Sequence, residues 1–113
     1  MLSGIIERQV AGAEKENVDE LILDEWRGAE LTQSDKSLLE SFPSLQFLSM
    51  NNCGLRSLSN FPALPNLIKL ELNDNRIAGG LEKLAGLKGL MQLNLAGNPL
   101  KTLEDLAPLV GRM

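Results

Sequence analysis

The stretch NLIKLELNDNRIAGG, Asn66 to Gly80, sets Leu67, Leu70, Leu72, Asn75 and Ile77 three, two, three and two residues apart. A helix would repeat its apolar residues at intervals of three and four, and a strand alone at two. From Leu67 to Asn73 the alternation is that of a short strand, with Leu70 and Leu72 facing one way and Lys69, Glu71 and Asn73 the other. After Asn73 it stops, an asparagine and an isoleucine take over, and the stretch closes on Gly79-Gly80.

The same form, LxxLxLxxN, recurs in SLQFLSMNNCGLRSL and GLMQLNLAGNPLKTL and, less regularly, in NVDELILDEWRGAEL. The four units start at Val18, Leu45, Leu67 and Leu90, at intervals of 27, 22 and 23 residues. These are leucine-rich repeat periods. The expected fold is an α/β leucine-rich repeat solenoid, with a curved parallel β-sheet on the concave side and 3₁₀ or short helical segments on the convex side. The fourth and sixth residues of each unit point into the core. The ninth turns inward where the chain leaves the sheet, and there an asparagine can satisfy buried backbone groups of neighbouring turns. Asn75 and Asn98 fill this ladder position, and Cys53 fits the same slot as a weak donor. No cation flanks Cys53 in the sequence, so its role reads as structural, not reactive. Trp26 cannot substitute in that way, so the first unit must pack differently.

On the return side, Leu58, Phe61 and Leu64 recur every three residues, as do Leu81, Leu84 and Leu87, and Leu103, Leu106 and Leu109. That period predicts 3₁₀ turns. SDKSLLESF predicts a brief helix capped by Ser34, with Leu38, Leu39 and Phe42 inward. Gly79-Gly80 allows a sharp turn before Leu81. A stack of repeats needs its ends covered. Residues 1–17 are expected to supply an N-terminal capping helix and linker, with Ser3 as the cap and Ile5, Ile6, Gln9, Val10 and Ala13 as one stripe. Residues 18–112 are expected to hold the repeats, with no C-terminal cap. A fifth strand would begin at Met113, so the expectation is either a piece of a longer protein or an open C-terminal edge that pairs with a second copy.

Composition narrows the function. Of 113 residues, 43% are apolar, which suits one folded domain. The chain has no histidine and one cysteine, so zinc chemistry and Ser-His or Cys-His catalysis have no residues to use. No cofactor and no metal are expected. An acidic trio, Glu20, Asp24 and Glu71, could raise one another's pKa values, but an open sheet offers no shielded pocket for acid–base work. Neither a secretory signal nor a membrane-length apolar run is present. Net charge is −4, divided into −6 over residues 1–41 (ten acids, four bases) and +2 over 42–113 (five acids, seven bases). The bases are scattered through the units, which argues against direct nucleic-acid binding.

The concave face is the usual binding surface of such a stack. Its expected outward residues are Glu20, Ile22 and Asp24; Phe47, Ser49 and Asn51; Lys69, Glu71 and Asn73; and Gln92, Asn94 and Ala96. Phe47 beside Ile22 amid acids reads as a protein-binding spot for a basic or mixed-charge partner. The candidate contact residues are Glu20, Ile22, Asp24, Phe47, Asn51, Lys69, Glu71, Asn73 and Asn94.

VDELILDEWR, LQFLSMNNCGLRSLSNFPALPNLIKLELNDNRIAGGLEKLAG and LMQLNLAGNPLKTLEDLAPL resemble the leucine-rich domain of the acidic leucine-rich nuclear phosphoprotein 32 family. The likeness runs over about residues 5–110, and KLELNDNRIAGGLEKLA is its most specific part. The resemblance implies a non-enzymatic chromatin regulator in nucleus and cytoplasm, with a histone or phosphatase subunit as partner and inhibition of a phosphatase among its activities. Two features depart from that pattern. The family's domain continues with another repeat, a capping motif and an acidic tail beyond the point matching Met113, and Trp26 with the acids before it differs from the usual first repeat. Self-association of a truncated module, or an adaptor role in splicing or phosphatase-1 regulation, stands as the alternative.

Overall fold

The computed structural model describes residues 2–100. Four strands, β1 (Glu20–Ile22), β2 (Phe47–Ser49), β3 (Lys69–Glu71) and β4 (Gln92–Asn94), form one parallel sheet in chain order. Register aligns Leu21, Leu48, Leu70 and Leu93 in one row across the sheet. The order follows from the repeat: each unit climbs one strand spacing, about 4.8 Å, and returns on the other side. Core residues come from both faces of that return. Leu21, Leu23, Leu48, Met50, Leu70 and Leu72 are fully buried from the strand side, and Leu58, Phe61, Leu64, Leu81, Leu84 and Leu87 close over them.

The chain reverses between strands by mixed means. The helix α2 (Gln33–Glu40) links the first two units; its cap is Thr32, not Ser34. Thr32 Oγ1 accepts from the Asp35 N–H at 3.1 Å and Asp35 returns the bond to the Thr32 N–H at 3.0 Å. A capping box needs its acid three residues after the cap, and Ser34 lies within that first turn. Leu39 and Phe42 are buried and Leu38 partly so. The only 3₁₀ helix on the convex side of the described residues is Leu81–Gly86, entered through Gly80 at φ 78°. Leu58, Phe61 and Leu64 instead make separate turns. Pro62 and Pro65 lack the N–H groups a continuous 3₁₀ run would need. The triad Leu103, Leu106 and Leu109, the C-terminal edge and its proposed self-pairing lie outside the described residues.

At the other end, the helix α1 (Leu2–Val10) lies against the first strand. Ser3 sits inside this helix, not at its cap, and Ala13 is exposed beyond it. Leu2 and Ile6 are the buried residues of α1. Gln9 does what a further strand would do. Its Nε2 donates to the Ile22 carbonyl at 2.6 Å and its Oε1 accepts from the Ile22 N–H at 2.6 Å. The outer edge of β1 is therefore closed by one side-chain amide. Gln9→Ala opens both groups of Ile22, and the expected loss is about 1–2 kcal/mol of unfolding free energy. The check is a lower urea midpoint at unchanged slope.

Candidate functional site

Three ladders organise the site. The inner one runs through the ninth positions. Asn75 Oδ1 accepts from the N–H groups of Cys53 (2.9 Å) and Leu55 (3.2 Å). Its Nδ2 donates to the carbonyls of Met50 (2.9 Å) and Leu72 (3.0 Å). Asn98 repeats the arrangement one unit later, with Nδ2 to Leu72 O at 2.8 Å and to Leu95 O at 2.9 Å, and Oδ1 accepting from Ile77 at 3.1 Å. Cys53 is the weaker member, with Sγ donating to Leu23 O at 3.3 Å and to Asn51 O at 3.5 Å and the backbone of Glu25 and Trp26 hydrogen-bonded to the sulfur. Gly28 N–H donates to the Cys53 carbonyl at 3.2 Å. Burial pushes the Cys53 thiol up to about 11, so it stays protonated at neutral pH. Trp26 takes no part in this ladder; its ring is half-buried against the core.

The second ladder occupies the seventh positions. Asn51 N–H donates to Asp24 Oδ1 at 2.8 Å, Asn73 N–H to Asn51 Oδ1 at 2.7 Å, and Ala96 N–H to Asn73 Oδ1 at 2.9 Å. Asp24, Asn51 and Asn73, read from the sequence as outward contact residues, thus have a side-chain oxygen engaged in holding one unit to the next. The signal was present as the repeated Asx at that position. The third ladder is conformational. The eighth residues, Glu25, Asn52, Asp74 and Gly97, all have positive φ, at 67°, 55°, 59° and 78°. Asn, Asp and Gly tolerate that region best.

On the open face the register sets Glu20, Phe47, Lys69 and Gln92 in one row, and Ile22, Ser49, Glu71 and Asn94 in the next. Phe47 therefore stands opposite Glu20 and Lys69, whereas Ile22 stands opposite Ser49. The expected side-by-side apolar pair is displaced by one row. Lys69 covers Phe47 instead, its Nζ 5.4 Å from the ring centroid. The same ammonium lies 3.3 Å from Glu71 Oε2. Ile22 stays 45% exposed.

Beneath these groups Ser49 is 2% exposed, although it belongs to the outward set. Its hydroxyl donates to Asp24 Oδ1 at 2.6 Å and accepts from Asn51 Nδ2 at 3.1 Å. Asn51 Nδ2 also donates to Glu71 Oε1 at 3.0 Å. Donors gather on Glu71, so its carboxyl lies below the ordinary value rather than above it. The Asn51 amide is the foremost cause, with Lys69 and Ser49 adding to it against an opposing push from burial. A carboxylate held charged this way is suited to attract a cation, not to carry a proton at neutral pH. Glu20, Ile22, Phe47, Lys69, Glu71 and Asn94 share one surface, and a shallow depression along the first row is lined by Glu20, Phe47 and Lys69 with Gln46 and Ile68.

Comparison with known proteins matches this architecture. A family model described as "Leucine Rich repeats (2 copies)" fits residues 65–108. Over 104 residues the chain is 42% identical to a Drosophila pseudoobscura pseudoobscura protein named acidic leucine-rich nuclear phosphoprotein 32 family member A, covering 92% of this chain and 38% of that protein. The Drosophila melanogaster protein of the same name is 46% identical over 92 residues, 81% of this chain and 34% of the relative. The chain thus spans little more than a third of the length of these relatives.

Proposed function

We propose that this leucine-rich repeat chain, similar over most of its length to members of the acidic leucine-rich nuclear phosphoprotein 32 family, binds a basic or mixed-charge protein partner in the nucleus through its open sheet face. The observation carrying this reading is the Asn51–Glu71–Lys69–Phe47 group. A charged carboxylate, a fixed ammonium and a half-buried aromatic ring sit on adjacent strands whose spacing the two asparagine ladders hold constant. Such an arrangement needs little reorganisation on binding, which lowers the entropic cost of association. Glu20 and Glu71 steer a cationic partner, and Phe47 with Ile22 supplies apolar area. Asp24, Asn51, Asn73 and Asn94 frame that contact.

The relatives are named nuclear phosphoproteins, and this supports a nuclear location. A histone is the partner class that fits both the acidic N-terminal half and the family resemblance. The module has no catalytic part in this reading, and its action is that of a scaffold that holds or masks its partner. Phe47→Ala is expected to weaken binding of purified core histones about tenfold, the size of a lost aromatic anchor at an interface. Its thermal unfolding should change little, because the ring lies on the surface of the sheet. Unchanged affinity in isothermal titration removes this face from the reading.

A further inference from the structure

We propose that the loops leaving the first three strands form a second docking surface, which takes an acidic segment of a partner protein bearing an aliphatic side chain. Arg27 and Arg76 occupy the tenth position of the first and third units, and Gly54 that of the second. The backbone brings these loops together: Arg56 N–H donates to Ala29 O at 2.8 Å and Arg76 N–H to Leu55 O at 2.7 Å. The Arg27 guanidinium reaches over Gly54, with Nη1 3.9 Å from where a Cβ would stand. Bare backbone therefore lies between two arginines whose α-carbons are two strand spacings, about 10 Å, apart. Arg56 follows two residues on.

All three arginines are exposed, and the one ion pair among the described residues is Lys69–Glu71. Glu25, Glu30 and Asp74 lie nearby in the chain yet form no ion pair with them. Three guanidinium forks on one edge of a chain of charge −4 are thus open to carboxylates.

Arg27 also stands on the rim of a depression of about 660 Å³, walled by Leu2, Trp26 and Leu38. Ser3, Thr32, Ser34 and Asp35 line it as well, and of these Thr32 and Asp35 satisfy each other in the capping box. Leu2, Trp26 and Leu38 give the hollow an apolar part, and its volume accommodates an aliphatic side chain. An aliphatic anchor there, with carboxylates following toward Arg56 and Arg76, matches both chemistries at once. A nucleic-acid backbone matches only the charge and brings no aliphatic side chain to the hollow. This surface is separate from the open sheet face and prefers the opposite partner charge, so the two readings stand or fall independently.

Trp26 is the only tryptophan in the chain, so its emission reports on the hollow directly. The probe is an acetylated peptide of one leucine followed by five glutamates. A saturable change in Trp26 emission is expected, with the midpoint raised about tenfold by the double substitution Arg27→Glu and Arg76→Glu and raised again by added salt. Phe47→Ala should leave it unchanged. Circular dichroism verifies the fold, and Arg27→Gln with Arg76→Gln replaces the reversal pair if that pair disturbs it. Absence of a saturable change at millimolar peptide overturns the proposal. So does an equal response to a lysine version of the peptide, or tighter binding of a single-stranded oligonucleotide at the same site.

Discussion

Replacing Asn75 with alanine is expected to lower the unfolding free energy by about 3–5 kcal/mol, the range for leaving several buried polar groups without partners. The side chain is 4% exposed and joins two units, receiving the N–H groups of Cys53 and Leu55 and giving to the carbonyls of Met50 and Leu72. Alanine strands four backbone groups in the core, and a water can recover only part of them. Leucine should do no better, since it fills the space without a donor or an acceptor. Cys53→Ala removes only weak thiol contacts, from Sγ to the Leu23 and Asn51 carbonyls, and should cost only about 1 kcal/mol. Denaturant unfolding of both variants measures the contrast. Equal losses for Asn75 and Cys53 would mean that the ladder is not what couples the units.

Gly97→Ala is expected to cost about 2–3 kcal/mol, of which about 1–2 is the left-handed backbone itself. Gly97 has φ 78°, and a Cβ there would collide with the Asp74 carboxylate and stand 3.2 Å from its α-carbon. Both residues hold the eighth position of adjacent units, so the collision opposes the stacking of the fourth unit on the third. Gly12→Ala separates the two contributions. Gly12 has φ 86° with nothing within 4 Å of the added carbon, so it reports backbone strain alone. The two melting temperatures should differ, with Gly97→Ala lower; equality would assign the whole effect to strain.

Much of this molecule is legible from spacing. The recurrence of LxxLxLxxN places the strands and the row of buried leucines, because a strand alternates strictly and every unit must bury the same face. It also places the ninth-position slot that Cys53, Asn75 and Asn98 occupy. Local rules were less reliable where two residues competed for one role. Ser34 and Thr32 both suit a helix cap, and the choice fell to the one with an acid three residues later. A three-residue apolar period suggested 3₁₀ turns around Phe61, but the period records only which side chains face inward. Pro62 and Pro65 removed the hydrogen bonds that would have joined those turns.

The open face shows the same division. Alternation correctly puts Glu20, Phe47, Lys69 and Glu71 on one side of the sheet, since that depends on the chain's own pleat. It does not say which residue stands opposite which, because register depends on how one unit sits on the next. Register separated Phe47 from Ile22, put Lys69 over the aromatic ring, and drew Ser49 under Asp24, Asn51 and Glu71. Sequence patterning thus reaches as far as interactions within one unit and the face a residue takes. Which polar groups meet across units, and which are left free to bind, arises from contacts between residues twenty or more apart, and those distances exist only once the units are stacked.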